Sequence, residues 1–336
     1  MRVLLTGGYG CIGAWIAKQL LDRGDAVIVL DLRENPSRMR LIMPDEQIRQ
    51  IAFVPGDVTH VPTLQGALEQ HGVTHVIHLA GLQVPVCRDN PILGATVNVI
   101  GTLAVFEALR QCRHPIERLV YASSAAVFGS PEIYPAGPLP DDVPLVPSTH
   151  YGVFKCCNEG NARIYFQDHG ISSIGLRPWT VYGVGRDFGM TSEPTKAIKA
   201  VCLGRRYHIS YGGWQDFQFV EDVAATFIRC LERPYTGAKS YNLRGQVVDL
   251  TTFHQVLCEV APAARDLVTF GDRQIRIAYD LDDTALQRDL GPMPKTPLQE
   301  GIRRTFELFQ KLHREGRLDT ADLDAVPPPP APADEP

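Results

Sequence analysis

Short apolar runs alternate with longer amphipathic stretches through the first half of the chain, the pattern that a parallel sheet with helical crossovers leaves in a sequence. Strands are expected near 2–6, 26–31, 51–55, 74–80 and 117–122, with helices near 11–24, 62–72 and 92–113. A further helix begins near 149 and is followed by a strand at 172–177. Gly24 and Gly170 fall at helix ends, where a residue free to adopt positive φ closes the last turn. The expected fold class is α/β, a Rossmann-type doubly wound parallel sheet occupying mainly residues 1–177.

Beyond about 178 the regularity loosens, and proline, glycine and aromatic residues become frequent. Helices are expected at 193–204, 220–232, near 252–260 and at 297–315, with one strand at 238–243. Residues 178–316 therefore read as a smaller mixed substrate-binding region interleaved with the first sheet. From 317 the chain turns acidic and then proline-rich (Val326 to Ala331), a composition that cannot bury a core, so 317–336 reads as a disordered tail.

The 336 residues, 44% of them hydrophobic, can bury a sizeable core. A balance of 33 basic against 38 acidic side chains, net −5, offers no broad attraction to nucleic acid or acidic membranes. Cys11, Cys87, Cys112, Cys156, Cys157, Cys202, Cys230 and Cys258 are scattered without C-x-x-C or metal-ligand spacing, so reduced thiols and no metal are expected. The first strand begins at Arg2, leaving no room for a signal peptide, and no apolar run is expected to reach the ~20 residues that span a bilayer. A cytoplasmic location follows.

Candidate chemistry begins with Thr6-Gly7-Gly8-Tyr9-Gly10-Cys11-Ile12-Gly13, which leaves one strand and opens a helix. Glycines here permit a tight turn and close approach of backbone to a pyrophosphate, whose charge the helix N-terminus meets. Eighteen residues past Gly13, Asp31 ends the second strand, where a carboxylate accepts from the adenosine ribose and repels a 2′-phosphate, favouring NAD over NADP. Arg33 and Arg38 nearby pull the other way. Asp57-Val58 and Leu79-Ala80-Gly81, with Gln83 just beyond, follow the third and fourth strands as further cofactor contacts. Downstream, Tyr151 and Lys155 stand four apart, on one face of a helix. A phenol serving as base near neutrality needs its pKa lowered by roughly 3 units, about 4 kcal/mol, and a neighbouring ammonium together with an oxidised nicotinamide supplies that scale.

This set, with Asn98 in Asn98-Val99-Ile100-Gly101, Ser123-Ser124-Ala125-Ala126-Val127-Phe128-Gly129 and Arg177-Pro178-Trp179-Thr180-Val181-Tyr182-Gly183, resembles the extended short-chain dehydrogenase/reductases, the NAD-dependent epimerase/dehydratase group, over residues 1 to about 310. The resemblance implies NAD as cofactor, held by Gly7, Gly10, Cys11, Ile12, Gly13, Asp31, Asp57, Val58, Leu79, Ala80, Gly81, Gln83, Asn98, Tyr151, Lys155 and Trp179. It implies Tyr151 as the proton acceptor, Lys155 as the residue that lowers its pKa and Ser124 as the hydroxyl at the reacting oxygen. In the family's sugar-nucleotide dehydratases an Asp and a Glu follow that hydroxyl. Ala125 and Ala126 stand there in this chain, which argues against elimination. Ser124, Ala125, Thr180, Arg186 and Gln215 are the expected substrate contacts. Thr180 replaces the family's asparagine and Gln215 the arginine that helps to bind a diphosphate, so a small carbohydrate-like substrate, a sugar or sugar acid, is favoured over a UDP-sugar. Dehydrogenation is the first reading, epimerisation of a sugar the alternative, and a non-catalytic NAD-binding regulator a minor third. The family pairs two helices in a homodimer, and Val97, Ile100, Leu103, Phe106, Val153, Phe154 and Ile164 are apolar on the corresponding helices here.

Overall fold

The computed structural model describes residues 1–324, and the proline-rich run lies outside the described residues. Among the described residues twelve strands form three sheets: β1 (Arg2–Thr6), β2 (Ala26–Asp31), β3 (Ala52–Pro55), β4 (His75–His78), β5 (Arg118–Ala122), β6 (Ser173–Arg177), β7 (Thr180–Tyr182), β8 (Tyr207–Ile209), β9 (Trp214–Phe219), β10 (Ala238–Asn242), β11 (Gln246–Asp249) and β12 (Val268–Phe270). Seven are parallel in the order β10-β6-β5-β4-β1-β2-β3. The chain runs outward from β1 through β2 to β3, then returns to lay β4 on the other side of β1. That reversal opens a crevice at the carboxyl ends of β1 and β4, where sheets of this kind bind ligands.

Alternation along each central strand sends side chains to two separate cores. Val3, Leu5, Val27 and Val29 pack on one face with Ala14, Trp15 and Ile16 of the helix Cys11–Asp22 and with Val223 and Phe227 of the helix Val220–Glu232. Leu4, Ile28 and Leu30 pack on the other with Leu64, Leu68, Val105 and Phe106. Each fully buried leucine or isoleucine here contributes about 1.5–3 kcal/mol. The fully buried Phe106, stacked on Tyr165 at 4.7 Å between ring centroids, is thereby a core residue and not part of a docking face.

The second half returns to the first sheet, as β10 completes its edge against β6. β7, β9 and β11 form a small mixed sheet, and β8 pairs with β12. Periodicity gives little sign of these strands. Several span only three residues, and β9 buries Gln215, Asp216 and Gln218 as well as its aromatics, so its pattern reads as polar although it lies in the interior.

Three further expectations are corrected. The helix expected at 92–113 is two α-helical pieces, Pro91–Ala95 and Gly101–Gln111, joined by a wider π turn at Thr96–Ile100. The combined Pro91–Gln111 stretch, 21 residues with a best-window mean hydropathy of 1.8, does reach membrane-spanning length and apolarity, and half of that window is buried in the fold. Residues 317–324, assigned to the tail, dock on the helix Glu193–Cys202, where the Lys199 ammonium donates to Asp322 at 2.7 Å and to the Asp319 carbonyl at 3.1 Å.

Candidate active site

The crevice is a cleft of about 770 Å³ at the sheet's switch point. Its floor is the glycine loop. Gly7 takes φ +68°, and a Cβ there would stand 2.7 Å from the Ala80 nitrogen, so the exits of β1 and β4 touch backbone to backbone. A Cβ on Gly13 would lie 2.7 Å from the Gly8 carbonyl. The helix Cys11–Asp22 starts from Gly10 with no side-chain cap and no acidic residue in its first turn, leaving its positive end for an anion. Cys11 lines the cleft with Ile12, and burial pushes its thiol up to about 12.

Asp31 stands at the end of β2 with one oxygen accepting the Leu32 N–H at 2.8 Å. Burial raises its pKa, and hydrogen bonds from the Leu32 and Tyr9 backbone oppose that shift. Arg38 does not face it as a free cation: its guanidinium grips Asp187 through contacts of 2.6, 2.9 and 3.1 Å and the Tyr9 carbonyl at 3.3 Å. Arg33 is exposed at the rim. Asp57 turns one oxygen onto Thr59, and Val58 packs against Gly101. A glycine cradle, an uncapped helix start and a carboxylate at the ribose position are what a dinucleotide requires, and the residues present fit NAD.

The opposite wall is the helix His150–His169. Thr149 caps it, its hydroxyl accepting the Gly152 N–H at 3.1 Å, and Gly170 ends it at φ +68°. A Cβ at Gly152 would fall 2.1 Å from the Ala126 carbonyl, so the helix presses directly on the Ser124–Ala126 turn and sets Tyr151 beside Ser124. The Lys155 ammonium donates to the Ala122 carbonyl at 2.6 Å and lies 5.5 Å from the Tyr151 ring centroid. Burial raises the Tyr151 pKa, while a hydrogen bond with Ser124 and the charge of Arg186 pull it back. Burial brings Lys155 down to about 8, with Cys87 and Glu159 opposing.

Asn98 sits inside the π turn, a feature that often marks functional positions. Its amide donates to the carbonyls of Leu82 and Gly94 at 3.1 and 3.0 Å, and its oxygen accepts the Leu82 N–H at 3.1 Å. Its backbone carbonyl accepts from Asn158 at 2.9 Å and Thr102 at 2.7 Å. Asn98 therefore shapes the Leu79–Gln83 wall from beneath. Under the floor, buried His78 bridges the hydroxyls of Thr6 and Thr102 at 2.7 and 2.9 Å, and burial holds its pKa down to about 3.

Ser124, Ala125 and Arg186, expected as substrate contacts, line the cleft, as do Gln83 and Trp179, expected as cofactor contacts. Trp179 is fixed by its indole N–H on the Ala278 carbonyl at 2.7 Å. Thr180 and Gln215 do not line it. Both are fully buried, the Thr180 hydroxyl donating to Gln215 at 2.8 Å, because β7 and β9 carry them side by side into the small sheet's interior. Met190, Thr191 and Ile277 line the cleft without having been anticipated. For Met190 and Thr191 the sequence signal was the glycine-rich stretch around Gly183, Gly185 and Gly189 that carries Arg186, and Ile277 had none.

Fold and cleft define a dinucleotide-binding α/β enzyme of the extended short-chain dehydrogenase/reductase class. The NAD dependent epimerase/dehydratase family matches residues 3–243, and the chain belongs to that family. It is 31% identical over 322 residues to a UDP-glucose 4-epimerase of Mycolicibacterium smegmatis, covering 92% of this chain and 99% of the relative. The structure of a Thermus thermophilus UDP-glucose 4-epimerase complex with NAD superposes with a TM-score of 0.78 at 28% identity, over 92% of this chain and 99% of the other. A holo L-threonine dehydrogenase from Cupriavidus necator shares the fold with a TM-score of 0.79 at 22% identity, over 91% of this chain and 99% of the other.

Proposed function

We propose that this chain oxidises a secondary alcohol of a small carbohydrate-like substrate, with Tyr151 as the base and NAD as the cofactor. The observation that carries this reading is the convergence of Tyr151, Ser124 and Lys155 on one wall of a cleft whose other wall fits a dinucleotide. Bound NAD supplies the hydride acceptor and, when oxidised, a positive ring that favours a neighbouring phenolate. Ser124 holds the substrate hydroxyl against Tyr151. Tyr151 takes the hydroxyl proton as the carbon–hydrogen bond breaks, and the Lys155 ammonium stabilises the phenolate that must form first. Ala125 and Ala126 give this wall no acid–base pair for elimination.

The substrate side supports an anionic, sugar-acid-like molecule. Arg186 lines the cleft, acts on Tyr151 through its charge, and keeps its Nε buried without a partner while a terminal nitrogen donates to Thr191 at 3.1 Å. A carboxylate would satisfy that buried donor. The paired, neutral Thr180 and Gln215 offer no charge to a diphosphate.

Epimerisation of a sugar is the second reading, favoured by the near full-length similarity to a UDP-glucose 4-epimerase. It requires the oxidised substrate to be reduced again before release. Incubation with NAD and a panel of sugars, sugar acids and UDP-sugars, following NADH absorbance and isomer composition together, separates the two. Accumulating NADH with a sugar acid supports the first reading; isomer exchange without NADH overturns it in favour of the second. A homodimer belongs to the same reading, supported by exposed Ile92, Leu93, Ile100, Val153 and Ile164 on the helical stretches Pro91–Gln111 and His150–His169. Elution as a monomer at micromolar concentration would remove it.

A further inference from the structure

The helix His150–His169 carries a nearly buried carboxylate that the chemistry above leaves without a task. Glu159 follows Lys155 by about one turn, and its side chain is only 10% exposed. Arg177, at the end of β6, holds both of its oxygens: Nε reaches Oε1 at 2.8 Å and a terminal nitrogen reaches Oε2 at 2.7 Å. The same guanidinium is anchored on the Asp141 carbonyl at 2.8 Å, on Asn242 at 3.2 Å and over the Phe128 ring at 5.1 Å. Glu159 is thus fixed by a cation that cannot itself swing.

The remaining bond of Glu159 points at the reaction centre. The Ser123 hydroxyl donates to Oε1 at 2.5 Å. Three consecutive residues leaving β5 are therefore tied to one helix: Ala122 through its carbonyl to Lys155, Ser123 to Glu159, and Ser124 beside Tyr151. A buried ion pair adds little net stability, because desolvation offsets most of its Coulombic gain, so stability alone is a weak account of this one.

We propose that Glu159 is a positioning residue for the Tyr151–Lys155 pair: through Ser123 it fixes the hydroxyl-bearing turn against the helix, and through its charge it keeps the Lys155 ammonium seated on the Ala122 carbonyl. The inference rests on reading Tyr151 as the base. The groups acting on Lys155 are Tyr151 and Glu159 from its own helix, Cys87 from the helix Val84–Asp89 and His78 from β4. Burial keeps the His78 ring neutral and the Cys87 thiol protonated, which leaves Glu159 as the anion among them. Burial works to strip the proton from Lys155, and Glu159 opposes it.

Near-ultraviolet phenolate absorbance of the NAD-saturated protein tests this without any substrate. The difference between wild type and Tyr151→Phe isolates the Tyr151 titration, and the same difference is taken in a Glu159→Gln background. Losing the carboxylate lets Lys155 shed its proton earlier, so the Tyr151 midpoint is expected to move up by about 1 pH unit, leaving roughly 10-fold less phenolate at neutral pH. Both titrations are taken at saturating NAD, with NAD affinity measured separately for each variant, because Glu159 acts through Lys155, which lines the cleft. A midpoint that is unmoved or lower in folded Glu159→Gln overturns the proposal. Should Arg177 left unpaired prevent folding, Ser123→Ala cuts the link from Glu159 to the hydroxyl-bearing turn while keeping both charges, and it is expected to raise the Tyr151 midpoint in the same direction, an unmoved midpoint counting against the proposal. If wild type and Tyr151→Phe titrate alike, Tyr151 is not the base. If they differ and Glu159→Gln changes nothing, the role of Glu159 alone is lost.

Discussion

The two halves of the cleft are built differently. The cofactor half is made by consecutive residues at the exits of neighbouring strands, where the backbone of Gly7 and Gly13 packs tightly, so a glycine or a strand-end aspartate announces itself. The half proposed for substrate is assembled from Arg186 and Thr191 of one loop and Ile277 of another, and the small sheet beneath hides polar side chains such as Gln215 and Asp216 inside. The cofactor half is thus defined by where the chain can turn, and the substrate half by which side chains meet.

The buried titrating groups make the contrast measurable, with opposite signs. His78, under the cofactor floor, has a folded pKa of about 3, below its unfolded value near 6.5. The unfolded chain therefore binds the extra proton, and stability is lost as pH falls from about 6.5 towards 3. Asp216, in β9, is raised by burial to about 7, opposed by hydrogen bonds from Gln218 and Gly245. Its stabilising share is present below the unfolded value of 3.8 and is lost as pH rises through about 7. Each effect is on the order of 4 kcal/mol over its full range. Between about pH 4 and 6.5 the two slopes nearly cancel, so wild-type urea midpoints should stay almost flat there, while His78→Gln leaves the Asp216 slope alone and its midpoint should rise as pH falls; a slope unchanged from wild type would remove His78 from the account.

Gly7→Ala attacks the cofactor half through backbone alone. With φ at +68° and the new Cβ against Ala80, NAD affinity should fall by roughly 100-fold or more, about 3 kcal/mol, measured by equilibrium binding. Arg186→Met attacks the other half. It should lower kcat/KM on a carboxylate-bearing substrate by about 30-fold, or ~2 kcal/mol, and on neutral sugars by a smaller factor, since the loss of its charge also weakens Tyr151 as a base. Equal losses on both substrate classes would contradict the anion-binding role. The smallest effect joins the halves. Asp187→Ala releases Arg38, and because that pair is about a third exposed, NAD should dissociate up to about 5-fold faster, a change of ~1 kcal/mol or less.

The first sheet was legible because each strand carries a complete hydrophobic run, and the glycine loop because its spacing has few other uses. Tyr151, Lys155 and Ser124 were readable from spacing and order, and Gly152 shows why they meet: a side chain there would push the helix away from Ala126. Thr180 and Gln215 were misplaced because a position in a motif does not tell which neighbour the side chain finds, and here they find each other. Met190, Thr191 and Ile277 carried no chemical mark, since their role is to lie at the cleft's edge. The π turn at Asn98 was invisible because its composition is that of an ordinary apolar helix.

The most direct test of the whole account is Tyr151→Phe, assayed for NAD binding and for turnover of whichever panel substrate the wild type consumes. Removing only the hydroxyl should leave NAD affinity within about 3-fold and lower kcat by about 10³-fold, the scale of a lost general base. Turnover within about 10-fold of wild type would contradict the assignment of Tyr151 as the base.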